Sequence, residues 1–190
     1  MSTRKIVLYF NNPGEVNSAE TLKAAKERAD ELNIRDIVVA STRGTTGLMA
    51  VNMFKGYNVV VVSHVTGMKE PSTNELDDVL AEKIKAQGGK IVTAAHTFSG
   101  VNRAIQAKFN TVYPAGIVAQ TLRLFGQGMK VVVETTAMAA DAGAIPTGKD
   151  VIAIAGSGKG ADTAVVIKSA PSHNLFDIAI REIIAKPNST

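Results

Sequence analysis

The sequence predicts a three-layer α/β domain built on a mainly parallel sheet. Short unbroken apolar runs, Ile37–Ala40 and Val59–Val62, suit strands covered on both faces. Between such runs stand stretches with apolar residues at helical spacing, and this alternation is the pattern of parallel sheets. Polar residues concentrate after the strands, where ligands sit in sheets of this kind. A chain of 190 residues fits one domain, 1–190, with length enough for a substantial core.

Lys5–Phe10 reads as the first strand, and Asn11-Asn12-Pro13-Gly14 is a turn signal. Asn17 with Glu20 three residues on makes a start like a capping box. Leu22, Ala25, Ala29 and Leu32 continue at helical spacing to a stop at Asn33. The second strand, Ile37–Ala40, runs into Ser41-Thr42-Arg43-Gly44-Thr45-Thr46, after which Leu48, Met49 and Val51 open a helix. Tyr57–Ser63 carries the third strand. Ser72 and Glu75 suggest another capped helix, with Leu76, Val79, Leu80 and Ile84 on one face and Gly88-Gly89 at its end. Lys90–Thr93 is a fourth strand, Val101–Lys108 a minor helix and Ile117–Phe125 a better one. Met129–Thr135 reads as a fifth strand, and Ala137–Ala142 as a turn or two of helix. Val151–Ala155 and Thr163–Lys168 are strands flanking a glycine loop. The tail, Asn174–Lys186, alternates more like a strand than a helix.

Composition removes several function classes. The 21 Lys+Arg against 17 Asp+Glu form no basic block, and aromatic residues make up only 5%, so a nucleic-acid partner is not expected. The absence of cysteine excludes disulfides, a thiolate nucleophile and Cys-ligated metal. Three histidines without ligand spacing argue against zinc. The apolar run in MSTRKIVLYF is too short for a signal peptide, and no stretch approaches membrane-spanning length. A soluble, cytoplasmic protein with no membrane partner is expected, and a homo-oligomer is compatible with all of this.

The chemistry gathers at Ser41–Thr46, which packs four hydroxyls, one guanidinium and a glycine into six residues between a strand and a helix. First-turn N–H groups have no intrahelical partner, and the helix dipole favours negative charge there. The dipole contributes only about 0.3–1 kcal/mol when exposed, so Arg43 and the hydroxyls of Ser41, Thr42, Thr45 and Thr46 must supply most of an anion's affinity. A capped βα loop without a ligand is the alternative. Other loops converge on the same rim: Asn11, Asn12 and Gly14; His64, Thr66, Gly67 and Met68; His96, Ser99 and Gly100. Glu134, Met138 and Asp141 join them, as does the glycine loop with Gly156, Gly160, Ala161 and Asp162. The histidines suit acid–base work near neutral pH, although each alone serves equally as a loop hydrogen-bonder. His96 with Ser99 lacks a nucleophile elbow. Gly143–Asp150 has P-loop spacing but leads into a strand, and Asp150 stands where the Mg²⁺-binding hydroxyl belongs.

STRGTTG between a strand and a helix resembles the phosphate-binding loop of the pyruvate kinase C-terminal domain, and GSGKGADT resembles the later glycine loop of that domain. Arg43 and Gly47 depart from the small hydroxyl residue and alanine usual at those positions. The 190 residues leave no room for a catalytic barrel of about 250, so kinase activity is not implied. FNNPGEVNSAETL, VASTRGTTGL, ETTAMAADAGAIP, GADTAVVIKSA and FDIAIREIIAKP, in this order, resemble the small stand-alone pyruvate kinase C-terminal-domain-like proteins. That family, mostly archaeal, is associated with bound FMN. The resemblance implies a flavin phosphate at Ser41–Thr46, a ring bordered by His64–Met68, His96–Gly100 and Glu134–Asp141, and a cover from Gly156–Asp162. It implies either a flavin-dependent oxidoreductase or a module that holds FMN, or another phosphorylated metabolite, without chemistry.

Overall fold

A computed structural model describes residues 4–188. The strands are β1 (Leu8–Phe10), β2 (Asp36–Ala40), β3 (Asn58–Ser63), β4 (Lys90–Thr93), β5 (Asp150–Ala155), β6 (Thr163–Lys168) and β7 (Ala179–Pro187). The helices are α1 (Ser18–Leu32), α2 (Thr45–Met53), α3 (Asp78–Ala86), α4 (Val101–Phe109), α5 (Pro114–Arg123) and α6 (Gln127–Asp141). One sheet holds the seven strands in the order β1-β7-β6-β5-β2-β3-β4. Only β6 runs against its neighbours, pairing antiparallel with β5 and β7. The pairs β1·β7, β2·β3, β2·β5 and β3·β4 are parallel. Every strand except β6 therefore ends at the same rim of the sheet.

The unbroken apolar runs follow from having two covered faces. Ile37 and Val39 of β2, Val59 and Val61 of β3, and Ile152 and Ile154 of β5 point to one side, against α1 and α2. The intervening Val38, Val60, Val62, Val151 and Ala153 point to the other, against α6. Alternation is present geometrically, but both faces are dry, so no polar residue marks it. Gly47 sets how close α2 lies to β3, because a Cβ there would stand 2.7 Å from Val61 Cγ1. The helix carrying the hydroxyl loop is thus pressed onto the sheet.

The structure corrects four expectations. Met129–Thr135 is not a strand but the middle of α6, whose residues 132–140 are all buried. Period alone cannot separate such an enclosed helix from a strand. Ser72 and Glu75 do not cap a helix; α3 begins at Asp78, and the Asp77 carboxylate accepts from Leu80 N–H at 2.9 Å. Asn17 adjoins α1 but makes no side-chain cap bond, its Nδ2 donating instead to the Asn12 carbonyl at 2.8 Å. Only Leu8–Phe10 of the first predicted strand pairs, against β7. Asn33 does stop α1, in the left-handed conformation at φ 55°. The tail is a strand from Ala179, after a 3-10 turn over Ser172–Asp177.

Candidate functional site

The end of β2 turns into α2 through Gly44, held at φ +100° with its Cα facing Leu80. Few residues other than glycine adopt that angle, so the sharp turn depends on it. Ser41 is spent on the turn itself, its Oγ accepting from Gly47 N–H at 3.1 Å. Helical geometry leaves the N–H groups of Thr45 and Thr46 without an intrahelical acceptor. Arg43 is exposed, lines one cavity with them, and has no ion-pair partner among the described residues. Cation, hydroxyls and helix N-terminus share one corner.

Next to that corner runs a hydrogen-bonded chain. Thr42 Oγ1 lies 3.2 Å from His64 Nε2, and His64 Nδ1 lies 2.8 Å from Glu75 Oε2. The second oxygen of Glu75 meets Lys69 Nζ at 2.7 Å. The Lys69 ammonium first, and the His64 ring second, hold the Glu75 carboxyl below the usual carboxylate range. An ionised Glu75 only accepts, so the neutral His64 ring carries its proton on Nδ1 and turns Nε2 to the Thr42 hydroxyl as an acceptor. The ring of His96 stands 5.2 Å from that of His64, and its Nε2 accepts from Val65 N–H at 3.4 Å.

Burial lowers the His96 pKa from its ordinary value; the charges of His64, Lys130 and Arg103 act in the same direction, and Glu134 opposes them. A histidine depressed on folding contributes stability in full above the unfolded value near 6.5, and that contribution is lost as pH falls through the folded value. Urea midpoints should therefore drop as the pH falls below about 6.5. A His96→Asn variant should lose this slope. An equal slope in both proteins would remove His96 as its source.

These groups line a cavity of about 720 Å³ at the strand-end rim. Its far wall is α6, through Gln127, Lys130, Val131, Glu134, Thr135 and Met138. Lys130 and Glu134 form a buried ion pair, and Glu134 Oε1 accepts from Phe98 N–H at 3.1 Å. Gly156, Gly158, Lys159 and Gly160, from the hairpin between β5 and β6, close one side. A Cβ on Gly160, which sits at φ +72°, would stand 2.4 Å from Glu15 Cα, so the hairpin lies directly on the start of the 3-10 turn Glu15–Asn17. Asp162 pins this contact from beneath. It is wholly buried and accepts from Gly14 N–H at 2.8 Å, Ser157 N–H at 3.1 Å and Thr163 Oγ1 at 2.8 Å.

A model of the family described as "Pyruvate kinase, alpha/beta domain" matches residues 19–167. The chain belongs to this family. Among solved structures, a Cryptosporidium parvum pyruvate kinase in complex with ADP is similar at 16% identity and a TM-score of 0.44, over 85% of this chain and 25% of that one. A second pyruvate kinase structure from that organism gives 16% identity and a TM-score of 0.43, over 84% and 24%. The chain thus spans about a quarter of the length of the solved relatives it matches.

In this alpha/beta domain the rim brings together many of the residues the sequence singled out. Ser41, Thr42, Arg43, Thr45 and Thr46 line the cavity, as do His64, Met68, His96, Glu134, Met138, Gly156 and Gly160. Others support its walls. Gly44 shapes the turn, Gly14 and Asp162 bond to each other, and Ala161 is buried with its N–H on Ser18 Oγ. Asn11 and Asn12 stay in the turn before α1, outside the lining. Thr66 and Gly67 close the loop ahead of α3, bonding to Asn74 and Thr73. Gly100 precedes α4, and Ser99 lines a separate cavity of about 520 Å³ toward α5. Asp141 lies outside as well, at the last turn of α6, where it accepts from Ser172 N–H at 2.8 Å. The sequence reading missed Glu15, Lys69, Glu75, Arg103 and Lys130, and took Lys159 only as part of the glycine loop. Glu75 was masked by its resemblance to a helix cap, and Lys130 by the mistaken strand. Among the described residues no helix is long and apolar enough to cross a membrane, and no group of His, Asp and Glu is placed to hold a metal.

Proposed function

We propose that this domain binds FMN, with the terminal phosphate at the Ser41–Thr46 loop. The observation that carries the reading is the corner where Arg43, uncommitted to any carboxylate, meets the N-terminus of α2. Arg103 and Lys159 add two more cations without an ion-pair partner among the described residues, so three such positive charges face one cavity and suit a phosphate dianion. The volume, about 720 Å³, is that of a small-molecule cleft. Val62, Met68, Val131 and Met138 offer an apolar wall for a flat ring. Flavin supplies hydride or electron transfer where it is held, while the protein binds, orients and excludes water. Zero cysteine accords with a cytoplasmic setting for such a protein.

Fluorescence titration with FMN tests the grip. Riboflavin, which lacks the phosphate, should bind far more weakly than FMN. Arg43→Ala should weaken FMN binding by about 1.5–3 kcal/mol with folding unchanged, as for a hydrogen bond to a charged group. Unchanged affinity would place the phosphate elsewhere. A second reading, a module that holds the ligand without redox chemistry, is favoured by the commitment of Glu75 and Glu134 to Lys69 and Lys130, which leaves neither as a free base. Reduction of bound FMN by a nicotinamide donor, or its oxidation by an added acceptor, would favour the oxidoreductase.

A further inference from the structure

The geometry points to a phosphate-ester-cleaving centre at Thr42, with His64 as its base and Glu75 as the residue that positions His64. This rests on the phosphate grip proposed above. It makes a phosphate monoester at Arg43 a substrate of the site, and not only a resident ligand.

Three features support it. Thr42 Oγ1, His64 and Glu75 follow one another at 3.2 Å and 2.8 Å, the order of nucleophile, base and orienting carboxylate. The proton assignment is the productive one, because Glu75 is held ionised between Lys69 and His64 and so keeps Nε2 free to take the Thr42 proton. Thr42 adjoins Arg43 in the chain and lies within four residues of the uncapped N–H groups of Thr45 and Thr46. Thr42, Arg43, Thr45 and Thr46 all line one cavity, so an anion held at those donors shares it with the Thr42 hydroxyl. Hydroxyl activation and oxyanion stabilisation thus meet in one turn of chain.

The step balances as follows. The Thr42 proton passes to His64 Nε2, the Oγ1–phosphorus bond forms and the ester oxygen–phosphorus bond breaks. The departing alcohol oxygen takes a proton from solvent water. The hydroxide so left attacks the phosphothreonine, and the Thr42 oxygen recovers its proton from the His64 imidazolium. One water is consumed, and the products are the free alcohol and inorganic phosphate.

The test uses p-nitrophenyl phosphate with the full chain, and follows nitrophenolate release and the intact mass after acid quenching. Wild type should turn over and carry a phosphoryl group that peptide mapping assigns to Thr42. Thr42→Val and His64→Gln should each lose about 100-fold or more in kcat. Thr42→Ser should retain turnover and form the same adduct on its serine. Glu75→Gln should lower kcat with KM unchanged, a split that a purely structural role would not produce. Calorimetry with inorganic phosphate, run on the same preparations, separates the two readings. Phosphate binding without turnover or adduct overturns the cleavage centre and leaves the grip standing. No phosphate binding removes both. Equal turnover by wild type and Thr42→Val also overturns the proposal.

Discussion

Glu134→Ala should cost about 3–5 kcal/mol of folding stability, the range for removing one partner of a buried ion pair. Glu134 is 4% exposed and Lys130 9%, so neither charge has much access to water. The ammonium left behind would face the Phe98 ring, whose centroid lies 5.7 Å from Nζ. It would find no carboxylate there, and the Phe98 N–H that bonds Glu134 Oε1 would be orphaned as well. Urea unfolding followed by circular dichroism reads the loss. The double variant Lys130→Met, Glu134→Leu is the control, because replacing both charges by apolar groups of similar volume is often neutral or stabilising. It should recover most of the stability. A single-variant loss below about 1 kcal/mol would mean that Lys130 escapes to solvent through the cavity.

Asp162→Ala should destabilise by at least about 3 kcal/mol, since three donors lose a charged acceptor at once. Gly14, Ser157 and Thr163 belong to the turn after β1, the glycine hairpin and the start of β6, so the carboxylate ties three segments at one point. Asp162→Asn should recover part of it, because the N–H groups of Gly14 and Ser157 both bond Oδ2, which an amide oxygen can replace, while an NH₂ in place of Oδ1 can donate to the Thr163 hydroxyl. Beyond the stability loss, limited proteolysis should cut the hairpin between Gly156 and Gly160. FMN affinity should fall even though Asp162 does not line the cavity. A variant as stable as wild type with an intact hairpin would show that the three donors find water instead.

The central strands and the hydroxyl loop were legible because their signals are local. Four valines in a row at 59–62 need two dry faces, and a run of Ser and Thr between strand and helix marks a helix start. What failed was information carried by tertiary packing. In α6, Val132, Val133, Ala137, Ala139 and Ala140 are all buried, so no polar face declares the 3.6-residue period. Reading its first half as a strand also hid Lys130, which reaches Glu134 only through i,i+4 helical spacing. Glu75 illustrates the same limit at the site. Its position after Ser72 imitates a cap in sequence, while its partners, His64 and Lys69, are set by how the loop folds back. Lys159 was noted only as part of a glycine run, and its place in the cavity depends on the hairpin folding over Glu15.

Since the chemistry is confined to the carboxyl ends of the strands, the amino-terminal rim carries only connections. Gly56, between α2 and β3, and Gly88, between α3 and β4, occupy turns on that side where an added Cβ would meet nothing within 4 Å. Tags, fluorophores or whole reporter domains spliced at these two bends would stand the full height of the strands away from the candidate site. Labels at these two bends would thus report on the proposed FMN site without touching its lining residues.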